Sequence, residues 1–223
     1  GKIKTSLSGV KGKEGLDLNE WELRLQVAVL ADGHFPPEGA NNYCQISISK
    51  DRKIERLKWI TSQGSLKIRE FPEVSCERYS NGKIQKFVVY PKYRVKNFNE
   101  LFWNCNQEQL EIILDEIGYW DGSVHKNKDS ETIRYFSKHL ADADFIQYAA
   151  TCCGYTATIV EDKREGKKSY TVNCSKLKFR SFANKDGKSP IIDVPSVDGF
   201  KYCFETSTGF FLVRQNGNIF VTG

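Results

Sequence analysis

The chain has 223 residues, and its 33 basic and 28 acidic side chains give it a net charge of +5. A chain of this length fits one compact domain with an appendage, and none of its apolar runs is long enough to cross a membrane. The small positive excess is what a nucleic-acid-binding protein would have, but an ordinary basic surface explains it equally well.

The cysteines and histidines indicate neither a disulfide scaffold nor a zinc site. There are seven cysteines, an odd number without C-x-x-C spacing, and three scattered histidines. Reduced thiols predict an intracellular protein, in the cytoplasm of a bacterial, archaeal or phage-infected cell or in a nucleus. No signal peptide opens the chain, which agrees with that expectation.

The first half of the chain predicts a helix, a strand, a second helix and a pair of strands. The first helix ends at Asp32-Gly33, and residues 44–49 alternate as a strand does. A helix is predicted over residues 51–63, closed by Gly64, and strands over residues 66–71 and 84–90.

The second half repeats this order. A helix ends at Asp121-Gly122, a further strand is expected after it, a helix is predicted over residues 139–153, and strands over residues 155–161 and 169–174. Asp32 and Asp121 are 121 − 32 = 89 residues apart, and Ser49 and Ser137 are 88 apart. A matching order at a constant offset indicates an internal repeat, and the mixture of elements predicts an α+β fold.

The two helices that end in Asp-Gly resemble the LAGLIDADG motif of homing endonucleases, here of the intein-associated type. The resemblance extends over about residues 16–182 and implies two pseudo-symmetric αββαββα repeats, residues 1–104 and 105–183, whose sheets form a saddle over DNA. Val27 and Glu116 replace the family's glycine, and Trp120 replaces its small residue. The bulk of Trp120 requires a wider helix crossing or an outward rotamer.

Asp32 and Asp121 are the candidate metal ligands. A carboxylate at a helix C-terminus meets the negative end of the helix dipole, and a bound cation reverses that unfavourable interaction. The resemblance implies that both are catalytic and hold Mg²⁺, or another divalent cation such as Mn²⁺, for a double-strand cut. Lys92 and Lys176 occupy equivalent repeat positions and are candidates for the basic residue near each scissile phosphate; the alternative for each is a solvated lysine.

The polar faces of the strands and the basic hairpins are the candidate DNA-binding surface. Strand alternation points one set of side chains away from the helices, and lysines and arginines cluster at the hairpins of both repeats. The predicted contacts to double-stranded DNA are Gln45, Ser47, Ser49, Lys67, Arg69, Lys83, Lys86, Arg134, Lys163, Arg164, Lys167, Lys168, Thr171 and Asn173. Any half-buried sheet has a polar outer face, so a purely structural role is the alternative for each residue.

Residues 184–223 form a predicted linker and a β segment with a tight hairpin turn at Asn216-Gly217. This tail resembles the C-terminal splicing blocks of inteins, a β segment of the Hint fold, and Cys203 falls where inteins place a residue that assists splicing. Gly1 is no splicing nucleophile and the terminal Asn is missing, so the chain as written is not expected to splice itself. If it is a split intein, its expected partner is an N-terminal intein fragment.

Three functions remain open from the sequence. The first is a site-specific double-strand DNA endonuclease, a monomer with an internal pseudo-dyad and no membrane association. The second is a DNA- or RNA-binding module of the same fold without nuclease activity. The third is a splicing component with an inert endonuclease domain. Metal-dependent cleavage of one long site would distinguish the first from the other two.

Overall fold

A computed structural model describes residues 2–3, 7, 9–37, 43–78, 82–126, 131–162, 164, 168–176, 180–181, 196–200, 205–207 and 209–222. After β1 (Lys2–Ile3), the first repeat consists of α1 (Glu20–Asp32), β2 (Gly33–His34), β3 (Cys44–Ile48), α2 (Asp51–Gln63), β4 (Ile68–Glu70), β5 (Val74–Ser75) and β6 (Lys83–Val89). A short 3-10 helix, Glu100–Asn104, follows it.

The second repeat consists of α3 (Gln107–Ile117), β7 (Gly122–Lys126), β8 (Glu131–Ser137), α4 (Leu140–Cys152), β9 (Thr156–Asp162) and β10 (Ser169–Ser175). The chain then forms β11 (Arg180–Ser181), which pairs with β1, and the hairpin of β12 (Phe211–Gln215) and β13 (Asn218–Thr222). In the described part of the chain, no helix combines the length and the apolar character that a membrane crossing requires.

The two repeats have the same sheet topology. The strand order is β2-β3-β6-β4 in the first sheet, where β5 also pairs with β6, and β7-β8-β10-β9 in the second. All these pairs are antiparallel, and the four strands of each order occupy matching places, so that, among the described strands of the two repeats, only β5 lacks a counterpart. The predicted α+β fold with two pseudo-symmetric repeats is therefore confirmed. Of the final helix in the predicted αββαββα unit, the described residues contain only the 3-10 helix Glu100–Asn104 after the first repeat.

The motif helices α1 and α3 begin in the same way and pack against each other. Asn19 and Asn106 each cap their helix in a reciprocal capping box, with Glu22 and Gln109 at the third helical position. The contact between α1 and α3 lies in the single large core, where Leu25, Val29, Leu110, Ile113 and Ile117 are buried. The helix pair therefore joins the repeats through apolar burial, the main favourable term in folding.

The glycine after each acidic residue allows strand and helix to approach closely. A Cβ atom on Gly33 would lie 2.5 Å from the Val29 carbonyl oxygen, and one on Gly122 would lie 2.7 Å from the Arg134 carbonyl oxygen. Both motif helices were expected to end at their Asp-Gly pair, but only α1 does so. Asp32 is the last residue of α1, but α3 ends at Ile117, and Asp121 follows in a tight turn. Hydrogen bonds over three residues form this turn, from the Trp120 nitrogen to the Ile117 oxygen among others.

Replacing Gly122 with alanine is expected to destabilise the protein by about 1–3 kcal/mol, as overpacking typically does. The added methyl group would contact two backbone oxygens, those of Arg134 and Ile117 at 2.7 and 2.9 Å, and neither can rotate away. Denaturant unfolding measures the change. Ser123→Ala, one residue along the same strand, adds no atom and serves as the control; equal stabilities of the two variants would contradict the prediction.

The hairpin of β12 and β13 docks on the second repeat. Asn216 and Gly217 have φ values of 50° and 72°, as a tight hairpin turn requires, so the predicted turn is confirmed. The Gly217 carbonyl oxygen accepts hydrogen bonds from the Ile159 nitrogen at 2.9 Å and from Gln147 Nε2 at 2.7 Å. Arg214 forms an ion pair with Asp144 of α4. The intein-like role of the tail stays a prediction, and Cys203 lies outside the described residues.

Candidate functional site

Asp32 and Asp121 lie on either side of one ammonium group. Lys53 Nζ lies 2.6 Å from Asp32 Oδ2 and 3.8 Å from Asp121 Oδ1. The Lys53 side chain is 9% exposed, whereas the side chains of Asp32 and Asp121 are 26% and 40% exposed. The two repeats therefore bring their acidic residues to a common, partly open position at the ends of α1 and α3.

The environment of the acid pair resists a second negative charge. Burial raises the pKa of Asp121, and the Asp32 carboxylate raises it further, while the Lys53 ammonium opposes both effects. Two carboxylates close together favour a cation between them, because it reduces the repulsion between their negative charges. Lys53 supplies that positive charge in the structure, with its ammonium 5.5 Å from the centre of the Trp120 ring.

A second lysine, Lys96, binds the end of the first motif helix. Its Nζ donates to the carbonyl oxygens of Val29 at 2.7 Å and Leu30 at 2.8 Å, which are terminal acceptors of α1. Sequence reasoning missed both Lys53 and Lys96. Lys53 lies in the charged first turn of α2, a pattern typical of a solvated helix start, and the residue at the same position of α4 is Asp142.

The donor set at this position fits a divalent cation that also binds phosphate. Among the residues that the structure describes, no cluster of three or more His, Cys, Asp or Glu side chains is present. Mg²⁺ characteristically binds through one or two carboxylates and completes its shell with water and substrate phosphates. Asp32 and Asp121 supply two such carboxylates, and the Lys53 ammonium between them marks a place where positive charge is stabilised.

Trp120 and Glu116, which depart from the family motif, contact each other in the interior. Trp120 is 3% exposed, and its Nε1 donates to Glu116 Oε1 at 2.8 Å. Glu116 is fully buried and also accepts hydrogen bonds from Arg24 Nη1 at 2.8 Å and Arg56 Nε at 3.1 Å. The outward rotamer considered for Trp120 is thus wrong. The indole packs inward because a buried carboxylate satisfies its N–H group.

Lys92 and Lys176 lie away from the acid pair, which differs from the expectation. Lys92 Nζ contacts Asp17 Oδ2 at 2.6 Å, before the start of α1, so about 20 Å of helix separates it from Asp32. Lys176 Nζ lies 3.6 Å from Glu131 Oε2 at the far end of β8. Both lysines follow the last strand of their repeat, and that strand ends near the start of the motif helices.

The outward faces of the two sheets carry equivalent rows of side chains. In β3 and β10, the predicted alternation is observed: Gln45, Ser47, Thr171 and Asn173 are partly exposed, and their neighbours in each strand are buried. Directly opposed residues of antiparallel strands lie on the same face. In each sheet, four directly opposed residues form a row that crosses all four strands. The row of the first sheet consists of His34, Gln45, Val88 and Arg69. The row of the second sheet consists of Ser123, Arg134, Asn173 and Thr158.

The predicted basic contacts fall into three groups. Lys83 pairs with Asp51 and Glu73, and Arg164 with Asp162. Lys67, Arg69 and Lys168 each lie over an aromatic ring. For Lys168, the Nζ atom is 6.0 Å from the centre of the Tyr170 ring. Exposed cations that pair with no carboxylate in the described ranges are Lys86 and Arg134. Ser49 follows β3 and is partly exposed, and Lys163 and Lys167 lie outside the described residues.

No protein-family model matches the chain. A curated protein with similarity is the stage III sporulation protein AG of Bacillus subtilis, 26% identical over 144 residues, which are 65% of this chain and 55% of that protein. The chain thus spans little more than half the length of this relative.

Two solved structures have a similar chain path. The N-terminal LAGLIDADG domain of DUF199/WhiA is 11% identical, with a TM-score of 0.45 over 71% of this chain and 78% of that one. The homing endonuclease I-DmoI, in complex with DNA and Mn, is 13% identical, with a TM-score of 0.44 over 70% of this chain and 89% of that one. At this identity, both are similarities of overall chain path.

Proposed function

We propose that the chain is a site-specific endonuclease for double-stranded DNA that uses Asp32 and Asp121 with a divalent cation. The observation that carries this proposal is the contact of one ammonium group with both carboxylates, one from each repeat. Two acids at a pseudo-dyad match the two strands of a duplex, because each acid can serve one phosphodiester bond. The outward sheet faces on both sides supply polar and basic side chains for a long recognition site.

Each group near the acid pair has a defined part in this proposal. A divalent cation held by the carboxylates would lower the pKa of an attacking water and stabilise negative charge on the phosphate. Asp32 and Asp121 are the residues that would hold such a cation. The Lys53 ammonium, which contacts both carboxylates, would then be available to pair with a substrate phosphate. Lys96 keeps the end of α1 intact through the Val29 and Leu30 carbonyls.

A second candidate function is binding of DNA or RNA without cleavage. The same ammonium group supports it, because Lys53 is 9% exposed and already compensates the charge of Asp32 at 2.6 Å. In that case Lys53 is a permanent structural cation, and a divalent ion gains little by replacing it. The splicing-partner function rests on the tail and on Cys203, and it stays a prediction.

A cleavage selection from a randomised duplex library tests the proposal. Purified protein is incubated with the library in Mg²⁺, in Mn²⁺ and in EDTA, and both bound and cut duplexes are sequenced. The proposed endonuclease yields one long site that is cut on both strands only with the divalent cation. Recovery of bound but uncut duplexes in all three conditions would favour the second candidate. Failure to retain any duplex would contradict both.

A further inference from the structure

One row on the outward face of the second sheet is apolar. Phe136 is 50% exposed and Val160 is 54% exposed. Thr171 of β10 is directly opposite Phe136 on one side and Val160 on the other. Because opposed residues share a face, the phenyl ring, the threonine methyl group and the valine methyl groups adjoin at the surface. We name these three residues the apolar row.

The apolar row begins at the acid pair. The Phe136 nitrogen donates to the Asp121 carbonyl oxygen at 3.0 Å, so the row continues outward from the turn that holds this carboxylate. A duplex that lies over the acid pair must therefore place its nearest base pairs against Phe136. Phe136 and Val160 together leave adjoining apolar area in water, and a partner that covers this area would gain stability from its burial.

The equivalent row of the first repeat has different chemistry. Ser47 is directly opposite Lys86, and the Phe71 nitrogen donates to the Lys86 carbonyl oxygen at 3.0 Å. The topology of the two sheets is the same, so Ser47 corresponds to Phe136 and Lys86 to Thr171. The first repeat thus presents a hydroxyl and an ammonium group where the second presents the Phe136 ring and the Thr171 methyl group. Phe71, the counterpart of Val160, is only partly exposed, and the Arg69 guanidinium lies over its ring at 4.8 Å.

The surroundings of the apolar row favour duplex DNA as its occupant. Arg134 lies two residues before Phe136 on the same face, and both Arg134 and Lys138 are exposed. Positive charge of this kind attracts a phosphate backbone. In the major groove, the one apolar group on the base edges is the C5-methyl group of thymine, and apolar side chains are its usual contacts. Cytosine carries the same group when it is methylated at C5.

We propose that the apolar row recognises pyrimidine C5-methyl groups in the half-site that lies over the second repeat. The half-site over the first repeat is read by the hydroxyl and ammonium groups of Ser47 and Lys86 and has no such requirement. This inference rests on the proposed function only in that duplex DNA must be bound; cleavage is not needed.

Base analogues that differ only in the methyl group test the inference. A duplex recovered from the randomised library is synthesised again with deoxyuridine in place of thymidine in one half-site at a time. In the half-site over the second repeat, deoxyuridine is expected to weaken binding about fourfold for each methyl group that the apolar row contacts. In the half-site over the first repeat, deoxyuridine is expected to leave the affinity within about twofold of that for the thymidine duplex. Cytosine and 5-methylcytosine at the same positions show whether the methyl group suffices or thymine itself is required.

The Phe136→Ser variant introduces the residue that the first repeat has at this place. It is expected to bind the thymidine and deoxyuridine duplexes equally, which also identifies the half-site in question. Phe210→Ser, an equal change at a residue that is 65% exposed and outside both sheets, should retain the full difference. Wild-type binding that ignores deoxyuridine in both half-sites would overturn this inference and leave the proposed function standing. Binding to no duplex at all would overturn both.

Discussion

Replacement of either Asp32 or Asp121 with asparagine is expected to reduce double-strand cleavage by about a thousandfold or more, a loss of about 4 kcal/mol of transition-state stabilisation. Asparagine has nearly the shape of aspartate but lacks its charge, and Asp32 and Asp121 are the two carboxylates that are proposed to hold the divalent cation. Binding to the same duplex should change little, because the proposed recognition surface consists of sheet residues and not of these two acids. The measurements are strand-specific cleavage rates and binding in Mg²⁺.

Both variants are expected to remain folded. The pKa of Asp121 is raised on folding, so its contribution to stability is fully present below the unfolded pKa and is lost as the pH rises through the folded pKa. At neutral pH, loss of the Asp121 charge therefore does not remove a stabilising ion. In Asp32→Asn, the amide oxygen can still accept from the Lys53 ammonium, and Asp121 at 3.8 Å still compensates part of that charge. Asp17→Asn, at the opposite end of α1 and 93% exposed, is the matched control. Cleavage that survives in both site variants would refute the role of the acid pair.

The Glu116→Gln variant is expected to lose about 3–5 kcal/mol of unfolding free energy, the usual effect of breaking a buried ion pair. Glu116 is fully buried and accepts hydrogen bonds from Arg24, Arg56 and Trp120. Glutamine keeps the shape but not the charge, so two guanidinium groups with 10% and 11% exposed side chains lose their main counter-ion. Part of the arginine charge stays compensated by Asp115, at 2.7 Å from Arg24.

Urea unfolding of the wild type and the variant at one ionic strength measures this effect. Glu20→Gln is the control, because Glu20 also pairs with Arg24 at 2.9 Å but is 44% exposed. Exposed pairs of this kind contribute about 1 kcal/mol or less. A loss below about 1 kcal/mol for Glu116→Gln would mean that the arginines find other partners or water. The triple replacement of Arg24, Arg56 and Glu116 with methionine should recover much of the lost stability.

The order of elements was predictable because local signals recur in both halves. Helix α2 was predicted over residues 51–63 and forms over the same residues, since an apolar stripe and a closing Gly64 define it locally. The outward residues of β3 and β10 follow from simple alternation. The Asn216-Gly217 turn follows from the positive φ values that these two residues tolerate.

The groups around the acid pair could not be predicted in the same way. Lys53 reaches Asp32 across 21 residues, and Lys96 reaches Leu30 across 66, so no local pattern links either pair. Lys92 and Lys176 were predicted instead because they occupy equivalent positions in the two repeats. Equivalent positions do not show whether a residue lies near the start or the end of a motif helix. The position of Asp121 beyond the end of α3 depends on a turn whose hydrogen bonds the sequence does not specify.

The buried charges between the repeats also affect how this chain can evolve. Arg24 and Arg56 belong to the first repeat, and Glu116 belongs to the second, where its counterpart in the first repeat is Val27. Two copies of the second repeat would bury two glutamates without these arginines, and two copies of the first would leave Arg24 with only the exposed Glu20 and without a buried acid. Each repeat therefore carries the counter-charge for a charge that the other buries. A dimer made of two copies of either repeat is expected to be less stable than this chain, because it would bury like charges without their partners.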